Sequence, residues 1–127
     1  MKNLKNIGRV LFAVPFGILG LNHFFMKDYY LGMVTSFIPG SGYTILVVGI
    51  ILILVSVSII LNKYIRTACI TLAILLALFI VTIHIPNIFV KENSTIAMID
   101  LMKDTALLGC ALLIAGLYGS KEKIKVD

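Results

Sequence analysis

Four long apolar stretches dominate this chain and restrict what it can fold into. They cover residues 7–26, 43–61, 65–85 and 96–118. Each is close to the ~20 residues that a helix needs to cross the hydrocarbon core of a bilayer. A water-soluble fold would have to pack four helices that are apolar all round, which soluble domains rarely do. The pattern predicts an all-α fold, an integral membrane four-helix transmembrane bundle, with residues 1–127 forming one membrane domain.

The amount of charge agrees with a membrane protein. Hydrophobic residues make up 60% of the chain and charged residues 13%, against roughly 45–50% and 25% in soluble globular domains. No stretch is polar enough for a separate soluble domain. The expected surroundings are therefore the lipid bilayer.

The basic residues predict how the spans are oriented. With a cytoplasmic N-terminus, the inner side holds eight of them and the outer side only Lys27, Lys91 and Lys103. Positive charge favours the cytoplasmic side, so we expect a multi-pass membrane protein with both termini cytoplasmic. No small-residue cleavage pattern precedes Asn22, so the first stretch is interpreted as an uncleaved span. The basic residues form no single face, and nucleic acid is not an expected partner.

The few polar side chains inside the apolar stretches are placed near one membrane surface. His23 and His84 lie near the ends of the first and third stretches, and Asp100, Lys103 and Asp104 near the start of the fourth. Antiparallel threading brings these ends together. The last three stand at i, i+3 and i+4 and share one helix face. A charge facing lipid would cost ~2.5 to 3.5 kcal/mol at mid-membrane positions, so this face should point into the bundle, with the histidines as partners for its excess negative charge.

Three further expectations concern local structure. Ala13 and Gly17 form a small-xxx-small pair on which a neighbouring helix can pack closely. Residues 27–42 join the first two spans, and residues 28–37 should lie along the membrane interface, either as a short helix covering the polar cluster or as an anchored loop. Because the residue before a proline is pushed out of the helical region, Pro86 predicts that Ile85 is the last helical residue of the third span.

The residues of the polar cluster are compatible with several functions. It could be a satisfied hydrogen-bond network that fixes helix register, with the acidic–lysine trio holding the bundle. It could also bind a small amphipathic ligand such as a quinone head group, whose carbonyls need donors that histidine and lysine supply. A metal site of His23, His84 and one carboxylate is a weaker alternative, because the histidines show no recognisable ligand spacing. Bis-histidine haem is weaker still.

Residues 9–24 (RVLFAVPFGILGLNHF) resemble the DoxX-like family of small four-helix bacterial membrane proteins. The likeness continues through the Pro39–Gly40 turn, the His84-Ile-Pro86 segment and the late acidic–lysine segment. The family takes its name from a subunit linked to quinone reduction during thiosulfate oxidation. The resemblance implies four spans with a polar outer pocket and favours a quinone by analogy.

These observations predict a DoxX-like membrane protein, a quinone-interacting accessory subunit that needs a redox partner protein for any electron transfer. The alternative is a non-catalytic membrane scaffold or small-solute permease. Whether the chain is an enzyme, and whether it forms a homo-oligomer, stay open. No metal ligand is proposed. The candidate ligand-binding residues are Asn22, His23, His84, Asp100, Lys103 and Asp104.

Overall fold

The structure, a computed structural model, describes residues 2–33 and 38–123. This part of the chain is helical and contains no strand. A π-helical turn, Ile80–His84, lies between the fourth and fifth α-helices. The helices are α1 (Lys2–Phe25), α2 (Lys27–Met33), α3 (Ser41–Ile60), α4 (Ile65–Phe79), α5 (Ile85–Ile88) and α6 (Ser94–Lys123).

Within the described residues, three helical segments are long and apolar enough to cross a membrane. They are Lys2–Phe25, Gly42–Ile60 and Ile65–Ile88, the last running from α4 through the π-helical turn into α5. These segments correspond to the first three predicted spans, with boundaries shifted by up to five residues. The fourth predicted span, 96–118, lies inside α6, which is not among the three.

The long helices pack in two antiparallel pairs, α1 with α3 and α4 with α6. At one end of the molecule the Lys5 ammonium lies 4.5 Å from the centre of the Tyr118 ring, which joins the start of α1 to the last part of α6. At the other end the Lys27 side chain lies against Gly42, where α2 meets the start of α3. The end of α1, the start of α3, the end of α4 with α5, and the start of α6 therefore share the end that holds the polar cluster.

Glycines allow α1 and α3 to approach closely. A Cβ atom added to Gly20 would lie 2.8 Å from the Gly49 carbonyl oxygen, and one added to Gly49 would lie 2.8 Å from the Cβ of His23. One turn away, a Cβ on Gly17 would meet the Ser56 hydroxyl at 2.7 Å. That hydroxyl donates a 2.8 Å hydrogen bond to the Ala13 carbonyl. The expected packing role of the small residues in the first span is confirmed.

The prediction that the helix stops at Ile85 is wrong. Ile85 and the following residues stay helical, because the chain changes to π-helical geometry just before Pro86. The Ile85 amide donates to the Ile80 carbonyl, five residues back. The Asn87 side chain donates to the Ile83 carbonyl at 2.8 Å. The wider turn and side-chain donors satisfy carbonyls near a proline that has no N–H to offer.

Candidate functional site

A cavity of about 670 Å³ lies at the end of the bundle that holds the polar cluster. All four long helices contribute to its wall, as do the π-helical turn and α2. Most of the lining is apolar, including Phe16, Leu52 and Phe79. Its titratable and hydroxyl-bearing lining residues are His23, Tyr29, Tyr30, Thr44, Thr82, His84, Asp100, Lys103 and Asp104.

His84 and Asp104 form the contact that joins the π-helical turn to α6. The imidazole Nε2 lies 2.9 Å from the Asp104 Oδ2, and both side chains are nearly buried, at 12% and 13% exposed. An ionised carboxylate only accepts hydrogen bonds, so Nε2 carries a proton in this pair. The π-helical turn ends at His84, so the position of this imidazole depends on the local change in helix geometry. The expectation that a histidine partners the acidic face is met by His84.

Lys103 pairs with Asp100 within its own helix, as their i, i+3 spacing predicts. Its Nζ lies 2.8 Å from Asp100 Oδ1, three residues back along α6. The lysine side chain is 60% exposed and the aspartate side chain 22% exposed. The acidic–lysine trio therefore does not hold the bundle as a unit, which was the expectation from its spacing. Of its members, Asp104 makes the hydrogen bond to another element.

His23 is held by α1 and by α2. Its Nδ1 lies 2.6 Å from the Leu19 carbonyl oxygen, one turn back in α1. Its ring stacks on Tyr30 with centroids 4.0 Å apart and an angle of 16° between the planes. The residue is 7% exposed. His23 thus borders the same cavity as His84, although its polar contact is to its own helix and not to a carboxylate.

Helix α2 forms part of the cavity wall. Of the two forms predicted for the connection, the described part is therefore a short helix next to the polar cluster. Tyr29, Tyr30 and Met33 from this helix line the cavity. Burial, together with the neighbouring Tyr29, raises the pKa of Tyr30, which keeps its phenol protonated at neutral pH. The rest of the predicted interfacial segment, residues 34–37, lies outside the described residues.

The turn before α3 is set by Gly40. Its φ of 84° is in the left-handed region that glycine adopts without strain. The Thr44 hydroxyl donates to the Pro39 carbonyl and closes this turn. Because Ile38, Pro39 and Thr44 all line the cavity, the turn fixes part of its rim.

Five of the six candidate ligand-binding residues border the cavity, and ligand binding by them stays a prediction. Asn22 is the exception: it is half-buried and does not line the cavity. Sequence reasoning missed Tyr30 and Thr82 as site residues. Thr82 lies two residues before His84 in the sequence, and this short separation could have indicated that Thr82 also borders the cavity.

The donors expected for a quinone are largely committed to protein acceptors. His23 Nδ1 faces the Leu19 carbonyl, His84 Nε2 faces Asp104, and one N–H of Lys103 faces Asp100. Among the described residues, no three histidine, cysteine or acidic side chains come close enough together to hold a metal ion. The cavity wall is mostly apolar with a few polar groups, which is the usual make-up of a small-molecule site.

Comparisons with protein-family models, with curated proteins and with solved structures find no match to this chain.

Proposed function

We propose that this chain is a DoxX-like four-helix protein of the bacterial inner membrane that binds a quinone head group in the cavity. In this proposal it acts as an accessory subunit, and a partner protein supplies or removes electrons. The observation that carries the proposal is the cavity itself. Its volume of about 670 Å³ lies within the ~300–1,000 Å³ of small-molecule sites, which combine apolar walls with a few polar groups.

The proposal includes α6 as the fourth span. The helix has 30 residues, well above the ~20 needed to cross the hydrocarbon core. It packs along α4, and its outward side exposes large apolar residues such as Leu112 and Leu113. Its two aspartates are each paired with a cation or an imidazole. Pairing lowers the cost of placing these groups at the edge of a membrane.

Filling the cavity tests the binding proposal. Val48 lines the cavity, whereas the preceding residue, Val47, points outward and is exposed. Val48→Trp should lower the affinity for decylubiquinone at least about tenfold, because the added ring occupies the space for the head group. Val47→Trp is the matched control and should bind as the wild type does. Binding is measured as the decylubiquinone retained by nanodiscs that contain the protein minus that retained by empty nanodiscs. Equal affinity in Val48→Trp and Val47→Trp would contradict the proposal.

The orientation has a separate test. The basic residues predict that both termini are cytoplasmic and that the α5–α6 connection is outside. A cysteine placed at Glu92 should react with an impermeant thiol reagent added to intact cells, and one placed at Lys123 should not. The reverse labelling pattern would overturn the orientation without bearing on the cavity.

The scaffold alternative also has a specific observation in its favour. Both carboxylates of the cluster already have partners, Asp104 with His84 and Asp100 with Lys103. A network of this kind can serve structure alone. It predicts that nanodiscs with the protein retain no more decylubiquinone than empty ones. The permease form of the alternative predicts solute flux into liposomes that does not depend on quinone.

A further inference from the structure

We propose that the cavity selects the reduced form of its ligand, a quinol, over the oxidised quinone. This inference rests on the proposed function, because it assigns the redox form bound at the same site. It follows from which nitrogen of each cavity histidine carries a proton. A quinol offers two hydroxyl donors, whereas a quinone offers only carbonyl acceptors.

The contacts of His23 determine its tautomer. A backbone carbonyl only accepts hydrogen bonds, so the 2.6 Å contact with the Leu19 oxygen places the proton on Nδ1. In a neutral imidazole the other nitrogen, Nε2, then has no proton and can only accept. No residue in the described part of the chain hydrogen-bonds to that atom.

His84 reaches the same state through its opposite nitrogen. Its Nε2 donates to the Asp104 carboxylate at 2.9 Å. In the neutral ring Nδ1 is therefore the acceptor, and it too has no hydrogen-bond partner among the described residues. The two rings use different nitrogens for the protein and leave one acceptor each.

These two acceptor nitrogens remain accessible. Among the described residues, Arg9 Nε is the single side-chain nitrogen or oxygen that is both fully enclosed and without a hydrogen-bond partner. His23 Nε2 and His84 Nδ1 therefore keep some accessible surface, although both rings are nearly buried. Both residues line the cavity, and we infer that a ligand in it reaches this surface.

The remaining polar groups do not reverse this preference. The Tyr30 hydroxyl can donate or accept, so it can bind either a carbonyl or a hydroxyl. The Lys103 ammonium has two further N–H groups after its bond to Asp100. They can donate to a quinone carbonyl or to the lone pairs of a quinol oxygen. A quinone placed against the imidazoles instead brings acceptor against acceptor, and such unpaired buried polar groups reject the wrong ligand strongly.

The test compares decylubiquinol with decylubiquinone under anaerobic conditions, with protein in nanodiscs and empty nanodiscs as the blank. We expect the quinol to bind at least about tenfold more tightly. A tenfold preference for the reduced form raises the midpoint potential of a bound two-electron couple by about 30 mV, which a redox titration of the loaded nanodiscs would detect.

One variant, His23→Phe, tests whether His23 produces the preference for quinol, and a second, Leu113→Ala, is its control. His23→Phe keeps a flat ring against Tyr30 and removes the acceptor nitrogen. It should lower quinol affinity about tenfold and leave quinone affinity nearly unchanged. Leu113→Ala, on the exposed side of α6, should preserve both affinities and the ratio between them.

The possible results separate the two proposals. Equal binding of both forms, tighter binding of the quinone, or an equal loss of both in His23→Phe would overturn the redox selectivity and leave the quinone site standing. Binding of neither form above the empty-nanodisc blank would overturn both proposals.

Discussion

The two antiparallel helix pairs are joined in different ways. Between α1 and α3, glycine faces glycine, and the Gly20 and Gly49 backbones come so close that neither position has room for a Cβ atom. Near the end of α4, the His84–Asp104 pair connects the π-helical turn to α6. The first contact depends on shape and the second on charge and hydrogen bonding.

The cavity follows from this difference. Small residues along α1 and α3 close the space between those two helices. At the π-helical turn the regular i to i+4 pattern is interrupted, and the imidazole and carboxylate meet at the cavity wall. Small residues that pack against each other leave no space between two helices, whereas a hydrogen-bonded pair of polar side chains can border an open space. The close contact therefore leaves no space between α1 and α3, whereas the polar contact lies at the wall of the cavity.

The largest expected effect comes from breaking the polar contact on one side only. His84→Leu leaves the Asp104 carboxylate nearly buried without its partner, a change that costs roughly 3 kcal/mol of unfolding free energy for buried pairs. The double variant His84→Leu/Asp104→Leu should recover most of this loss, because two apolar groups can replace a buried pair at little cost. Sodium dodecyl sulfate titration followed by circular dichroism measures four proteins: the wild type, the single variants His84→Leu and Asp104→Leu, and the double variant. Additive losses in the double variant would contradict the pairing.

A somewhat smaller effect is expected at the glycine contact. Gly20→Ala adds a Cβ atom 2.7 Å from Ile53 Cγ1 and 2.8 Å from a backbone oxygen that cannot move alone. Overpacking of this kind typically costs about 1–3 kcal/mol. Gly109→Ala is the matched control, since nothing lies within 4 Å of the added atom, and it should keep the stability of the wild type or gain slightly. Similar losses in both variants, in the same titration, would mean that the α1–α3 contact is looser than described.

The sequence predicted the apolar helices, the role of Gly17 and the end of the molecule where the polar groups meet, because apolar length, small-residue spacing and antiparallel threading are local or topological properties. It could not predict the partners of His23. His23 bonds to its own helix and stacks on Tyr30, a choice set by where α2 lies. The rule for the residue before a proline failed at Ile85, because a π-helical turn and the Asn87 side chain supplied alternatives to the missing N–H.

The smallest effect is expected at Lys103, and it separates the two polar contacts of the cluster, His84 with Asp104 and Lys103 with Asp100. From spacing alone, Lys103→Met should lower stability clearly, because a carboxylate deep in the bundle would lose its partner. In the structure the lysine is 60% exposed and bonded to a residue of its own helix, and exposed i,i+3 pairs contribute less than about 1 kcal/mol. The titration midpoint of Lys103→Met should therefore lie close to that of the wild type and far from that of His84→Leu. A loss as large as that of His84→Leu would mean that Lys103 contributes as much as His84 to the contact between α6 and the rest of the bundle, and would contradict its exposed position.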